Sequence, residues 1–114
     1  MIVKQVSVFV ENTVGRLADL TKILTDNNID LKASTIAETV DFGILRCIVE
    51  EPEKTVKILV ENGFSASISE VTGVSLEDKP GGLHKVLAVL AEAGIAVNYI
   101  YSTIKSAEGK AIIM

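Results

Sequence analysis

The feature that most constrains this chain is an internal repeat. Glu11-Asn-Thr-Val-Gly15-Arg-Leu17 and Glu77-Asp-Lys-Pro-Gly81-Gly-Leu83 each follow an alternating apolar run and precede a helical pattern, at an offset of 66 (81 − 15). The offset persists downstream, where Leu24 falls on Leu90, Ile29 on Ile95, Leu31 on Val97 and Gly43 on Gly109. One shared motif is weak, but an offset held from Gly15 to Gly43 indicates two copies of one supersecondary unit.

Each copy reads as a short α+β module. Val6, Val8 and Val10 alternate with Ser7, Phe9 and Glu11, the period of a strand. Leu17, Leu20, Ile23 and Leu24 recur at helical spacing, and Asn27-Asn28 supplies a stop. Leu31 to Glu38 and Phe42 to Glu50 read as two strands joined at Val40-Asp41, a connection short enough to make them antiparallel. Pro52 suits the first position of a helix whose apolar face is Val56, Leu59 and Val60 and which ends at Asn62-Gly63. Ser65 to Ser69 is the last strand. The order βαββαβ predicts a ferredoxin-like sandwich, an antiparallel sheet with both helices on one face.

The chain is thus expected to hold two such units in tandem, 1–70 and 71–114. The second repeats the strand, the glycine turn and a helix through Leu83, Val86, Leu87 and Leu90. A strand from Ala96 to Lys105 follows, and another begins at Lys110. Counted against the first unit it is expected to be incomplete, lacking a helix and an edge strand by residue 114. Ala111 to Met114 is therefore expected to be an exposed strand end that invites pairing. Units of this size bury proportionately little surface alone, so the two are expected to share an interface and the whole to form a homodimer.

Composition narrows the function. A formal charge of −4 and only five aromatics, Phe9, Phe42, Phe64, Tyr99 and Tyr101, argue against a nucleic-acid surface. Cys47 is the only cysteine and His84 the only histidine, which leaves no thiolate cluster and too few ligands for a zinc site. Cys47 lies between Leu45 and Val49 and reads as an inert packing residue; His84 reads as a helix-surface residue near the second turn. Tyr99 and Tyr101 share a strand face with Val97 and read as packing. Glu38 and Asp41 flank a turn and are expected to face solvent. Nothing has the pattern of a signal peptide or the length of a membrane span, so a cytoplasmic protein is the expectation. No cofactor is called for, and no nucleophile or acid–base pair has a visible activating neighbour, so an enzyme is the less favoured reading.

The two glycine turns hold the remaining chemistry. The first amides of a helix have no partner within it, and its dipole is positive there, so such an end attracts a carboxylate. Asn12 and Asp78, three residues before each glycine, can accept hydrogen bonds from an ammonium group. Glycine, asparagine and aspartate are also ordinary turn residues, and a purely structural turn accounts for these positions as well.

These motifs, with Asn28-Ile-Asp-Leu31 and Gly94-Ile-Ala-Val-Asn98 after the helices, resemble the ACT domain family, and the resemblance spans the whole chain. It is nearest to stand-alone tandem ACT proteins of bacteria, and it extends to the regulatory subunit of acetolactate synthase, whose Asn-x-x-Gly-x-Leu element is similar. It implies that a small ligand, usually an amino acid, binds between two units against the turn of one and the second strand of the other. The implied turn residues are Asn12, Thr13, Val14, Gly15, Arg16 and Leu17, and Asp78, Lys79, Pro80, Gly81, Gly82 and Leu83. The implied second-strand residues are Lys32, Ala33 and Ser34, and Asn98, Tyr99 and Ile100. Arg16 stands where the second unit has Gly82, and Lys32 where it has Asn98, so the two half-sites are not equivalent. The side-chain-free Gly81-Gly82 turn is expected to be the better contact surface, with Arg16 able to reach a carboxylate by its planar donor fork. The implied function is a non-catalytic sensor whose amino acid acts as an allosteric effector. The alternative is a regulatory subunit that docks on an amino-acid biosynthetic enzyme.

Overall fold

The computed structural model describes residues 2–38, 41–77, 79–102 and 110–113, of which Glu38, Glu77 and 110–113 are described by backbone alone. The elements run β1 (Ile2–Glu11), α1 (Arg16–Asp26), β2 (Ala33–Glu38), β3 (Phe42–Ile48), α2 (Pro52–Glu61), β4 (Ser65–Thr72), β5 (Val74–Glu77), α3 (Gly82–Glu92) and β6 (Lys110–Ile113). The first four strands form one antiparallel sheet in the order β2-β3-β1-β4, the ferredoxin-like arrangement expected from sequence. β5 and β6 form a separate antiparallel pair.

β1 is central, and its alternation decides the layers. Val6, Val8 and Val10 are buried and face Leu20 and Leu24 of α1, Leu59 of α2, and Phe64. Leu20 and Leu59 are fully buried, each stabilising the fold by roughly 1.5–3 kcal/mol relative to an exposed position. β3 supplies Leu45 and Cys47 to the same face, opposite Val8 and Val6 in register. Val49 follows β3 into this core. Pro52 occupies the first turn of α2, as expected, and Thr55 is buried with its hydroxyl donating to the Glu51 carbonyl at 2.9 Å. Lys4 Nζ reaches Glu53 Oε1 at 2.7 Å, an exposed ion pair between the start of β1 and the start of α2.

The other face of β1 carries Gln5, Ser7 and Phe9, and there the second repeat docks. Gln5 is only 1% exposed. Its amide donates to Ser69 Oγ at 3.0 Å and to Tyr99 Oη at 2.6 Å, while its carbonyl accepts from Tyr101 Oη at 2.7 Å. Arg46 stacks on the Tyr99 ring, 3.9 Å from guanidinium carbon to centroid. Tyr99 and Tyr101 thus act as packing residues, and the buried glutamine they cover has its polar atoms paired.

The repeat is reproduced in backbone hydrogen bonds. Arg16 N–H donates to the Thr13 carbonyl at 3.3 Å and Gly82 N–H to that of Lys79 at 3.1 Å. At the other end Ile29 bonds Leu24 at 2.8 Å and Ile95 bonds Leu90 at 2.9 Å, while Asn28 bonds Thr25 and Gly94 bonds Ala91, both at 3.0 Å. These pairs close each helix in a Schellman motif, with Asn28 (φ 56°) and Gly94 (φ 74°) in the left-handed conformation that such a stop requires.

Several boundaries differ from expectation, β3 among them, which ends at Ile48 rather than at Glu50. β2 starts at Ala33 rather than Leu31, since Lys32 is the last residue before the ladder and bonds Ile48 by its amide. β4 runs on to Thr72, past the expected unit boundary, because β1 is ten residues long and pairs with it from Ile2 to Phe9. The strand expected from Ala96 to Lys105 is not formed in its described part: 95–101 has no ladder, and Ser102 makes one isolated bridge. Those residues are held by the Tyr99 and Tyr101 side chains instead of by backbone pairing. The rest of that expected strand, Val40 of the β2–β3 turn, Gly109 and Met114 lie outside the described residues.

Burial pushes the Cys47 thiol up to about 11 from 9.0 and the Tyr101 phenol up to about 12 from 10.0. Both groups therefore hold their protons more tightly folded than unfolded, and the stability this represents is intact below pH 9 and lost as pH rises through the folded values. Urea midpoints measured between pH 8 and 12 are expected to fall from about pH 9 upward. Cys47→Val should flatten the part of that fall between pH 9 and 11.

Candidate ligand-binding site

Both helices that follow the repeated motif start at a left-handed glycine. Gly15 has φ 87°, ψ −11° and Gly81 has φ 89°, ψ −13°, each at the N-cap and without a side-chain cap. Positive φ suits glycine, because a Cβ there crowds the backbone. In α1 the Arg16 amide folds back to Thr13 and the Asp19 amide to the Gly15 carbonyl, at 2.9 Å for the latter. The amides of Leu17 and Ala18 between them are the helix-start donors that geometry leaves for a ligand.

A groove of about 240 Å³ lies against this first turn, lined by Val10, Glu11, Asn12, Thr13, Leu17, Ile36 and Gly43. Register explains its composition. Val10 pairs with Gly43 and Gly43 with Glu38, so only the side-chain-free Gly43 of β3 separates the end of β1 that leads into the turn from the last residues of β2. Gly43 has no side chain to fill that corner, and a Cβ built there would come within 3.2 Å of Ile36 Cδ1. Ile36 and Gly43 were missed in the sequence because only the strand register brings them to the turn.

The other expected residues are placed as follows. Asn12 donates its backbone amide to the Asp41 carbonyl at 3.2 Å, and Val14 is fully exposed at the tip. Arg16 does not line the groove: its guanidinium sits 3.9 Å from the Phe64 ring centroid and its Nε 3.9 Å from Glu11 Oε1. That departs from the expectation that it reaches a carboxylate, because the stack on Phe64 already holds the guanidinium. Lys32 borders a separate polar hollow with Asp30, Glu51 and Lys54. Ala33 and Ser34 begin β2 opposite Ile48 and Cys47, at the end of the sheet remote from Gly15. Lys79, Pro80 and Gly81 are exposed, Gly82 is buried, Leu83 is half exposed, and His84 is exposed on α3; Asp78 lies outside the described residues. The sequence favours the second turn for contact, whereas the turn groove described here lies at the first.

Asn98, Tyr99 and Ile100 border a larger hollow of about 340 Å³ with Val74, Val86 and Leu90. By the 66-residue offset these last three correspond to Val8, Leu20 and Leu24, core residues of the first repeat. In the first repeat Leu59 and Phe64 pack in the same place. This hollow is therefore the core position of the second repeat, and its size does not make it the effector site.

A family model for the ACT domain pair matches residues 1–114, and the chain belongs to that family. The crystal structure of protein BT0572 from Bacteroides thetaiotaomicron is similar at 43% identity and a TM-score of 0.89, covering 99% of this chain and 77% of that one. The ligand-free regulatory subunit of aspartate kinase from Thermus thermophilus shares the fold at 14% identity and a TM-score of 0.63, covering 96% of this chain and 80% of that one. The aspartokinase alpha and beta subunits do so at 21% identity and a TM-score of 0.57, covering 98% and 84%. No curated protein matches significantly. Among the described residues no group of three or more His, Cys, Asp or Glu is placed to hold a metal, and no helix is long and apolar enough to cross a membrane.

Since a Cβ at Gly15 or Gly81 would meet nothing within 4 Å, an alanine there tests backbone conformation alone. Gly15→Ala and Gly81→Ala are each expected to destabilise by about 1–2 kcal/mol in urea titration, and the asparagine variants by less. A neutral Gly15→Ala would mean that the turn is not left-handed.

Proposed function

We propose that this chain is a non-catalytic regulatory sensor that binds a free amino acid at the β1–α1 turn. One observation supports the reading: a small groove joins Leu17, in the uncapped first turn of α1, to an apolar wall of Val10 and Ile36. Its volume of about 240 Å³ lies below the roughly 300–1,000 Å³ of sites for drug-sized ligands and suits a molecule of amino-acid size. The ligand carboxylate takes the Leu17 and Ala18 amides at the positive end of α1. The ammonium group takes acceptors on Asn12 or Glu11. The ligand side chain lies against Val10, Leu17 and Ile36, where a misplaced polar group would go unpaired and be rejected.

In this reading the two halves, 1–70 and 71–114, carry pseudo-equivalent half-sites. A second strand, Lys32 to Ser34 or Asn98 to Ile100, completes each from another unit. Within one sheet Lys32 to Ser34 lie at the wrong end to reach their own turn, and Tyr99 is engaged with Gln5 and Arg46. Completion therefore calls for a second copy, and the proposed assembly is a cytoplasmic homodimer. The alternative, a subunit docked on an amino-acid biosynthetic enzyme, draws on the Thermus thermophilus neighbour, itself a regulatory subunit of aspartate kinase. Co-purification with a large enzyme would favour it.

A thermal-shift panel of the twenty amino acids is the first test, since a ligand that binds only the native state raises the melting temperature. One amino acid, or one chemical group of them, is expected to do so. Gly43→Val, which fills the corner beside Ile36, should weaken its binding at least tenfold by calorimetry. No shift with any amino acid would defeat the sensing reading; unchanged binding by Gly43→Val would move the site elsewhere.

A further inference from the structure

The 95–101 stretch forms no ladder and meets the first sheet through side chains. Tyr99 and Tyr101 reach the sheet from one side of it, while Asn98 and Ile100, which alternate with them, stay exposed. Beneath them the Gln5 amide donates to Ser69 and Tyr99, and its carbonyl accepts from Tyr101, so one buried side chain holds both rings. Arg46 adds a stack on the Tyr99 ring. This clamp runs one way. By the 66-residue offset Val71 stands where the first repeat has Gln5, and Ala33 and Thr35 stand where the second has Tyr99 and Tyr101. Val71 pairs with Val3 in the first sheet, and the ladder to β3 holds Ala33 and Thr35 in β2. The first repeat thus fixes its second strand by backbone pairing. The second repeat fixes the equivalent residues by a side chain of the first.

We propose that Gln5 is a positioning residue for the ligand site, a role that rests on the amino-acid reading above: it holds Asn98 to Ile100 in place as the half-site that completes the β1–α1 groove of another copy. Gln5 does not line that groove and acts only through Tyr99 and Tyr101. A ladder commits backbone donors and acceptors to the neighbouring strand, whereas a stretch held by its side chains leaves them for a ligand. Without the clamp the stretch has no pairing to order it, and a ligand would have to order it on binding, at a cost in affinity. The core is not involved, because Val6, Val8 and Val10 face the other side of β1. Loosening the clamp therefore separates the half-site from the fold of the first repeat.

Backbone amide relaxation reads the clamp, and calorimetry with the amino acid that the thermal panel selects reads the site. In the wild type 98–100 is expected to be as rigid as the strands, with order parameters of about 0.85, and Gln5→Leu should bring them below about 0.6 while β1 to β4 stay rigid. Affinity should fall about tenfold in the same variant, since the ligand must then order the stretch. Gln5→Leu combined with Tyr99→Phe and Tyr101→Phe leaves no polar group unpaired and should recover both readings. A merely structural Gln5 would lower the urea midpoint without changing either. Circular dichroism checks folding; if Gln5→Leu is unfolded, Tyr99→Phe, which removes one hydroxyl from a half-buried ring, carries the comparison. Unchanged order at 98–100 in the folded variant overturns the clamp. A loosened stretch with unchanged affinity overturns its part in the site. If no amino acid binds the wild type, the sensing reading fails and that part falls with it, while the relaxation data still decide the clamp.

Discussion

Strand β1 is covered on both sides at its middle, around Gln5 and Val6, and the two sides hold different things together. On one side Val6, Val8 and Val10 close the core against the helices. On the other, the Gln5 side chain receives both tyrosines of the second repeat through hydrogen bonds of 2.6 and 2.7 Å. A buried glutamine left without partners would cost about 1–3 kcal/mol, so the first repeat is complete on that face only with the second one docked. The end of the same strand runs into the Gly15 turn. Core, docking and candidate site are therefore fixed by one ten-residue strand.

How much of this could be read in the sequence follows from which interactions are local. The glycine turns, the helices behind them and the Schellman stops depend on neighbouring residues, and the 66-residue offset made each support the other. Strand order followed from the βαββαβ sequence of elements. The extent of β4 did not, because its length is set by how far β1 pairs with it. Ala96 to Lys105 alternates as a strand should, yet 95–101 forms no ladder, and alternation cannot reveal whether a pairing edge is present beside it. Gln5 is the clearest miss. A glutamine among valines reads as the solvent face of a strand, and only the distant tyrosines make it buried.

For the candidate site the turn residues were legible and the wall opposite them was not. Ile36 and Gly43 enter through register, and Arg16 leaves through its stack on Phe64. That stack also gives the two turns different surroundings. In the first, a cation covers the aromatic ring behind the helix start; in the second, the same position is the buried Gly82. The backbone device is duplicated while its side chains differ.

The central claim is that the bare amides at the start of α1 receive a ligand carboxylate. Amide chemical shifts of the labelled protein, titrated with the amino acid that the thermal panel selects, test it most directly. The account predicts that the Leu17 and Ala18 resonances move most, with their hydrogen exchange slowed at saturation. A titration that saturates while these two amides stay unmoved, with the large shifts gathered elsewhere, would contradict it.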